Sequence, residues 1–122
     1  MVYLAESPAA AMLERIVHLA SREGKLPRTY DLLEVEAGKD LVISNLDPPS
    51  ESQWKLDVEI TRTLGDGWLA AVASALARVP SVIVPRTWNF LLNPLHPDAS
   101  QMRIASVMRE RFDNRLFQSG PR

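Results

Sequence analysis

Residues 78–98 read RVPSVIVPRTWNFLLNPLHPD, and this stretch decides how the chain folds. Its β-branched and apolar side chains predict two strands, at residues 79–84 and 90–92. The first predicted strand carries Ser81 at a position where a valine would pack better. A hydroxyl in a buried strand needs a hydrogen-bond partner or serves chemistry, so Ser81 is the first candidate functional residue.

Two further stretches repeat apolar residues at the three-to-four spacing of an amphipathic helix. The first follows Ser7, a helix-capping residue with a proline directly after it, and is expected to stop at Gly24. The second is expected to begin near residue 62, with Thr61 as its cap. The two glycines of the LGDGWL segment form no phosphate-binding motif, so we interpret them as starting or kinking this second helix.

The remaining apolar runs predict short strands at Val2–Ala5 and at residues 30–36, 41–44 and 104–108. Strands and helices alternate in the first half of the chain and strands crowd the second half, which is typical of the α+β class. We therefore predict one α+β domain over residues 1–122, with a mixed, curved sheet and flanking helices. A chain of 122 residues that is 46% hydrophobic is able to bury one core.

Composition and charge exclude several classes of function. The 14 lysine and arginine residues nearly balance the 15 aspartate and glutamate residues, so no basic surface for direct nucleic-acid binding is expected. The absence of cysteine excludes disulfides, thiolate metal sites and a cysteine nucleophile. No run approaches the length that spans a membrane and no export signal is evident, so we expect a cytoplasmic protein without membrane contact.

Glu14 and Tyr3 are two further candidates for chemistry, near the start of the chain. Glu14 lies at the edge of the apolar stripe of the first predicted helix. Such a glutamate is most often solvated, with a weak partner one turn away, but a partly desolvated carboxylate also suits an acid, a base or a cation stabiliser. Tyr3 lies on a predicted strand, where tyrosine commonly fills a sheet; it could also stack on a flat ligand.

The histidines and Ser81 do not form a familiar catalytic or metal-binding motif. His18 and His96 are far apart in the sequence and no paired-histidine spacing is present, so no metal is expected. His96 is interpreted as a turn residue whose ring hydrogen-bonds the backbone. Ser81 is not within G-x-S-x-G, and no histidine–carboxylate pair stands at an obvious distance from it, which disfavours a serine hydrolase.

Five blocks in order along the chain carry a resemblance to a known family. They read VYLAESPAAAMLE, TRTLGDGWL, RVPSVIVP, NFLLNPLHPD and RFDNRLF, and together they extend over nearly the whole chain. In this order they resemble the RES domain family, which is named for an arginine, a glutamate and a serine. By position in these blocks, the family's glutamate falls on Glu14, its serine on Ser81 and an active-site tyrosine on Tyr3.

The resemblance implies a fold similar to that of ADP-ribosyltransferase toxins and an enzyme that destroys its substrate NAD. Inorganic phosphate would cleave the nicotinamide–ribose bond to give ADP-ribose-1″-phosphate, or water would hydrolyse it; no cofactor is implied. Glu14 and Ser81 would be catalytic, and Tyr3 and Ser81 would contact NAD. Such proteins resemble bacterial toxins that pair with Xre-type helix-turn-helix antitoxins, which supply the DNA-binding function. We also expect a homodimer.

The chain departs from the family pattern at its beginning. In the family, a leading segment with the arginine of the name precedes the VYLAES block, whereas Met1 directly adjoins that block here. We therefore expect the first elements of the family fold to be absent and the 122-residue form to be impaired or inactive. The alternative is a non-catalytic remnant that binds an antitoxin or self-associates.

Overall fold

The computed structural model describes residues 1–22, 27–48 and 58–117. Two helices and six strands form its regular structure, together with two short 3-10 helices, at Pro97–Gln101 and Asn114–Phe117. In chain order these elements are β1 (Val2–Ala5), α1 (Pro8–Arg22), β2 (Thr29–Glu36), β3 (Ile43–Asn45), α2 (Val58–Ala71), β4 (Leu76–Pro80), β5 (Trp88–Leu92) and β6 (Arg103–Arg111). The predicted α+β class is confirmed.

A four-stranded sheet holds most of the core. Its strands lie in the order β1-β5-β4-β3, with β3 parallel to β4 and the other neighbours antiparallel, so the sheet is mixed, as predicted. Strands β2 and β6 form a separate antiparallel ribbon, which we call the β2–β6 ribbon, with an irregularity between Glu34 and Val35. The strand predicted at residues 41–44 is the short β3, displaced by two residues at its start.

Both faces of the four-stranded sheet carry buried apolar residues, because side chains alternate between the faces along each strand. One cluster contains Leu41, Ala75 and Leu76, packed with Phe90 and Leu92. The other cluster contains Trp68 of α2 with Ala77 and Leu91 of the sheet. The sheet therefore has two apolar sides, and α2 covers one of them.

Helix α1 begins where the sequence predicts. The Ser7 hydroxyl accepts a hydrogen bond from the backbone N–H of Ala10 at 3.1 Å, and Pro8 occupies the first turn. A capping side chain of this kind satisfies one of the N–H groups that a helix start leaves without an internal partner. The predicted stop at Gly24 lies outside the described residues. No helix in the described ranges is long and apolar enough to cross a bilayer.

The predicted start of the second helix is wrong, because α2 begins at Val58 and includes Thr61 within its first turns. Both glycines lie inside the helix. Gly65 is buried, and a Cβ there would lie 3.6 Å from the Met1 side chain and 3.7 Å from that of Leu91. Each interior glycine costs roughly 1 kcal/mol of helix stability, and packing of the helix against the sheet outweighs this cost.

The predicted strand at residues 79–84 is also wrong at both ends. Strand β4 begins at Leu76 and ends at Pro80, so Ser81 is the first residue after the strand. The Ser81 hydroxyl accepts hydrogen bonds from the backbone N–H groups of Ile83 and Val84, which turns the chain instead of extending it. Apolar composition indicated a strand, whereas local hydrogen bonds of the serine produce a turn.

Candidate active site

Glu14, from near the start of the chain, meets Ser81 and Asn89 of its second half, and we call these three residues the polar cluster. Glu14 lies on α1, Ser81 follows β4, and Asn89 lies on β5. The Ser81 hydroxyl donates to Oε1 of Glu14 at 3.0 Å. The Asn89 side-chain amide donates to the same oxygen at 2.9 Å. The helix carboxylate is thus attached to the sheet by two hydrogen bonds, each to a charged acceptor.

Ser81 is 4% exposed, and every hydrogen-bonding position of its hydroxyl has a partner within the protein. Besides donating to Glu14, the oxygen accepts from the N–H of Ile83 at 3.1 Å and from the N–H of Val84 at 3.2 Å. A serine hydroxyl has one donor and two acceptor positions, so all three are occupied. The backbone N–H of Ser81 donates to Thr87 at 2.8 Å and closes the loop that holds the hydroxyl.

Asn89 was not predicted as a site residue. It lies in the middle of the sheet, paired with Ala5 of β1 on one side and with Val79 of β4 on the other. Its Oδ1 is buried and has no hydrogen-bond partner among the described residues. An unpaired buried acceptor costs about 1–3 kcal/mol. Asparagine is depleted in strands, so an asparagine inside WNFLL was the available signal, but nothing in the sequence identified its partner.

Tyr3 lies on the face of the sheet that carries Asn89. Tyr3 and Ala5 are two residues apart on β1, so their side chains point to the same face, and Ala5 is paired with Asn89. The separation along the strand is about 7 Å. Tyr3 is 75% exposed. The structure therefore places an accessible aromatic ring on the same face of the sheet as the polar cluster.

An open groove of about 1330 Å³ lies between the four-stranded sheet and the β2–β6 ribbon. Its walls are mostly apolar, with Leu4 on one side and Met108 on the other. Tyr3 and Ala11 line the groove, but no residue of the polar cluster does. Ala11 and Glu14 are three positions apart on α1 and so lie on the same side of that helix. The groove therefore reaches α1 at Ala11 and does not include the Glu14 carboxylate.

The geometry does not support a Ser-His-Asp type of hydrolase. Ser81 donates directly to a carboxylate, with no imidazole between them, and its lone pairs are occupied by backbone N–H groups. The ring of His96 accepts a hydrogen bond from the backbone N–H of Asp98 at 3.0 Å, at the start of a 3-10 helix. The prediction that His96 is a turn residue bonded to the backbone is confirmed.

Two carboxylates with displaced pKa values lie elsewhere, on the surface. Hydrogen bonding from Arg109 across the β2–β6 ribbon lowers the pKa of Asp31, with burial acting in the opposite direction. Near the end of the described chain, hydrogen bonds from the side chain and backbone of Arg115 lower the pKa of Asp113 to about 2. No group of three or more potential metal ligands occurs in the described ranges.

The sequence profile of the RES domain matches residues 1–114. The chain belongs to the RES domain family. The resemblance predicted from the five sequence blocks is therefore confirmed. Glu14 and Ser81, to which that resemblance assigns the glutamate and the serine of the family name, are in direct contact in the structure.

Curated relatives of this RES domain chain are named toxins. It is 41% identical to the protein Toxin Res of Pseudomonas putida, over 96% of this chain and 79% of that protein. It is 36% identical to the Prs ADP-ribosylating toxin of a Sphingobium species, over 97% of this chain and 75% of that toxin. Toxin Res of Yersinia enterocolitica is 34% identical, over 94% of this chain and 76% of that protein.

Proposed function

We propose that this RES domain protein is a toxin that cleaves the nicotinamide–ribose bond of NAD, with Glu14 as the residue that stabilises the reacting ribose. The observation that carries the proposal is the attachment of the Glu14 carboxylate to the sheet by Ser81 and Asn89. A carboxylate fixed in this way presents a preorganised negative charge, which is what a developing ribosyl cation requires.

The proposed reaction needs only one carboxylate of this kind. When the bond between C1 of the ribose and the pyridinium nitrogen breaks, its electron pair stays on the nitrogen and nicotinamide leaves as a neutral molecule. No proton has to be delivered to the leaving group, whereas ordinary glycosidases use a second carboxyl group for that purpose. The positive charge that develops on C1 and the ring oxygen is stabilised electrostatically by Glu14.

Water or inorganic phosphate completes the reaction. An oxygen of water forms the new bond to C1 and loses a proton, which gives ADP-ribose; an oxygen of phosphate gives ADP-ribose-1″-phosphate. Tyr3 is exposed on the same face and offers its ring for stacking against the nicotinamide or the ribose. Ser81 holds the carboxylate, and its predicted contact with NAD would replace one of its present hydrogen bonds.

A second candidate is ADP-ribosyl transfer to a protein, which the name of the Sphingobium relative supports. The bond that breaks and the role of Glu14 are the same, and only the acceptor at C1 differs. In both cases we propose that the protein acts in the cytoplasm, on cellular NAD, and is neutralised by an Xre-type antitoxin, as the resemblance to the family implies.

The test is an assay of nicotinamide release, with and without inorganic phosphate, for the wild-type chain and for Glu14→Ala. Because the family resemblance places an arginine ahead of Tyr3, a form with an arginine-bearing leading segment is assayed beside the 122-residue chain. We expect nicotinamide release equal to NAD loss, and its disappearance in Glu14→Ala. Mass spectrometry of the products identifies the acceptor.

NAD labelled in its adenylate half separates the two candidates, because label that becomes attached to protein indicates ADP-ribosyl transfer. If neither form consumes NAD at high protein concentration, the enzymatic proposal is wrong. Binding of an Xre-type antitoxin by a chain that consumes no NAD would then favour a non-catalytic interaction module.

A further inference from the structure

Asn89 is a polar residue that the fold alone does not explain. Its neighbours on the adjacent strands are Ala5 and Val79, and the residues that follow it on β5, Phe90 and Leu91, are apolar. Its Oδ1 is buried without a partner in the described part of the chain. A leucine of similar size would remove this unpaired acceptor and would suit the strand better.

Asn93, four residues further along the chain, shows what a structural asparagine looks like in this protein. It is 4% exposed, and its Oδ1 accepts a hydrogen bond from the backbone N–H of Leu95 at 3.1 Å. Its own backbone N–H donates to Ala75 at 2.8 Å. Asn93 therefore has an internal partner for its side-chain oxygen, whereas Asn89 uses its amide on a carboxylate and leaves its oxygen unpaired.

We infer that Asn89 is a positioning residue, whose amide N–H fixes the Glu14 carboxylate for catalysis. The inference deepens the proposed function and rests on it. The amide of Asn89, on β5, and the hydroxyl of Ser81, in the turn after β4, both bind Oε1. Both donors bind Oε1, so we assign Oε2 to the ribose of the substrate.

Two donors on one oxygen hold a long side chain in a single orientation. A glutamate on a helix surface otherwise samples several rotamers, and each departure from the productive geometry lowers the rate of the chemical step. Ser81 alone provides one attachment point, about which the carboxylate rotates. Asn89 provides the second, and it retains an unpaired oxygen because the amide group that supplies the N–H also carries that oxygen.

The experiment compares Asn89→Leu, Asn89→Asp and Asn93→Leu in the active form of the protein. Asn89→Leu and Asn89→Asp both lose the N–H donor, and Asn89→Asp keeps the shape of the side chain. We expect kcat for nicotinamide release to fall at least tenfold in both, with KM within about threefold of wild type, as for an interaction that acts in the transition state.

The Tm of Asn89→Leu should equal or exceed that of wild type. Asn93→Leu should lower Tm and leave kcat of the folded protein unchanged.

A second measurement does not depend on activity. Three-bond NMR couplings of the Glu14 side chain should report one rotamer in wild type and averaged rotamers in Asn89→Leu. If wild type is inert towards NAD but Asn89→Leu shows averaged Glu14 rotamers, the proposed function is wrong. The conclusion that Asn89 fixes the orientation of the Glu14 carboxylate then still holds. If folded Asn89→Leu keeps its kcat and Glu14 keeps a single rotamer, the inference about Asn89 is wrong.

Discussion

The two ends of β4 each carry a buried serine, and the two serines have different kinds of partner. Ser74, before the strand, is 2% exposed, and its hydroxyl donates to the backbone carbonyl of Leu76 and accepts from the indole N–H of Trp68. Because its one proton goes to Leu76, the short contact with Ser44 makes Ser44 the donor. Ser81, after the strand, donates to the carboxylate of Glu14.

Burial alone therefore does not distinguish a structural serine from a serine of the site. Ser74 connects neutral groups of β3, α2 and β4, so its hydrogen bonds hold the fold. Ser81 holds a charged group that is only half-buried and belongs to a helix from the beginning of the chain. The charge and the accessibility of its partner are the reasons for our proposal that the Ser81 end of β4 serves chemistry.

Within the comparison of the two ends of β4, the largest expected effect is on the activity of Ser81→Ala. Loss of a hydrogen bond to a charged group is worth about 1.5–3 kcal/mol, so kcat/KM for nicotinamide release should fall roughly 10- to 100-fold. Ser74→Ala is the matched control, because it removes a similarly buried hydroxyl from the other end of the same strand. Both are assayed well below their Tm, with the folded fraction measured by circular dichroism. If the two folded variants had equal activity, the proposal that Ser81 serves catalysis and Ser74 only the fold would be wrong.

A smaller effect is expected on the stability of Ser74→Ala. The substitution leaves the indole N–H of Trp68 and the hydroxyl of Ser44 without their partner in the core, which costs about 1–3 kcal/mol. Chemical denaturation should show this loss as a lower midpoint with an unchanged slope. Ser81→Ala should lose less stability than activity. If Ser81→Ala lost more stability than activity, Ser81 would be a structural residue like Ser74 and not part of the site.

The smallest effect is expected from the exposed ion pair of Asp113 and Arg115. The pKa of Asp113 is lowered from 3.8 to about 2 by hydrogen bonds from Arg115, so its contribution to stability is present above about pH 4 and is lost as the pH falls through about 2. In Asp113→Asn this acid-range dependence should disappear. At pH 7 the shift in Tm should be smaller than that of Ser74→Ala, since exposed pairs contribute little. A shift in Tm as large as that of Ser74→Ala would show that the burial of an interaction does not determine how much it contributes to stability.

Local patterns in the sequence were sufficient for several elements and insufficient for the site. Strand β1 and the start of α1 were predicted correctly, because a short apolar run and a capping serine act within a few residues. The start of α2 was missed because residues 58–61 precede the apolar repeat from which the helix was predicted. Strand β4 was misplaced because an apolar run was assumed to be extended where Ser81 turns it.

The polar cluster depends on contacts between residues far apart in the chain. Glu14 and Asn89 are separated by 75 positions, so neither residue indicates the other from the sequence. Glu14 and Ser81 were selected because their blocks resemble those of a family, and the structure places them 3.0 Å apart. Asn89 had no assignment from that resemblance, and only its contact with Glu14 revealed it.

Glu14→Gln tests the central claim most directly, because glutamine keeps the size of the side chain and an oxygen that still accepts from Ser81 and Asn89, and replaces Oε2 and the negative charge with a neutral amide NH2 group. The measurement is nicotinamide released per chain in the active form of the protein, with Glu110→Gln, an exposed glutamate of the β2–β6 ribbon, as the matched control. We predict that Glu14→Gln lowers kcat at least 100-fold without lowering Tm, and that Glu110→Gln changes neither. Release by folded Glu14→Gln within a few-fold of wild type would contradict the account.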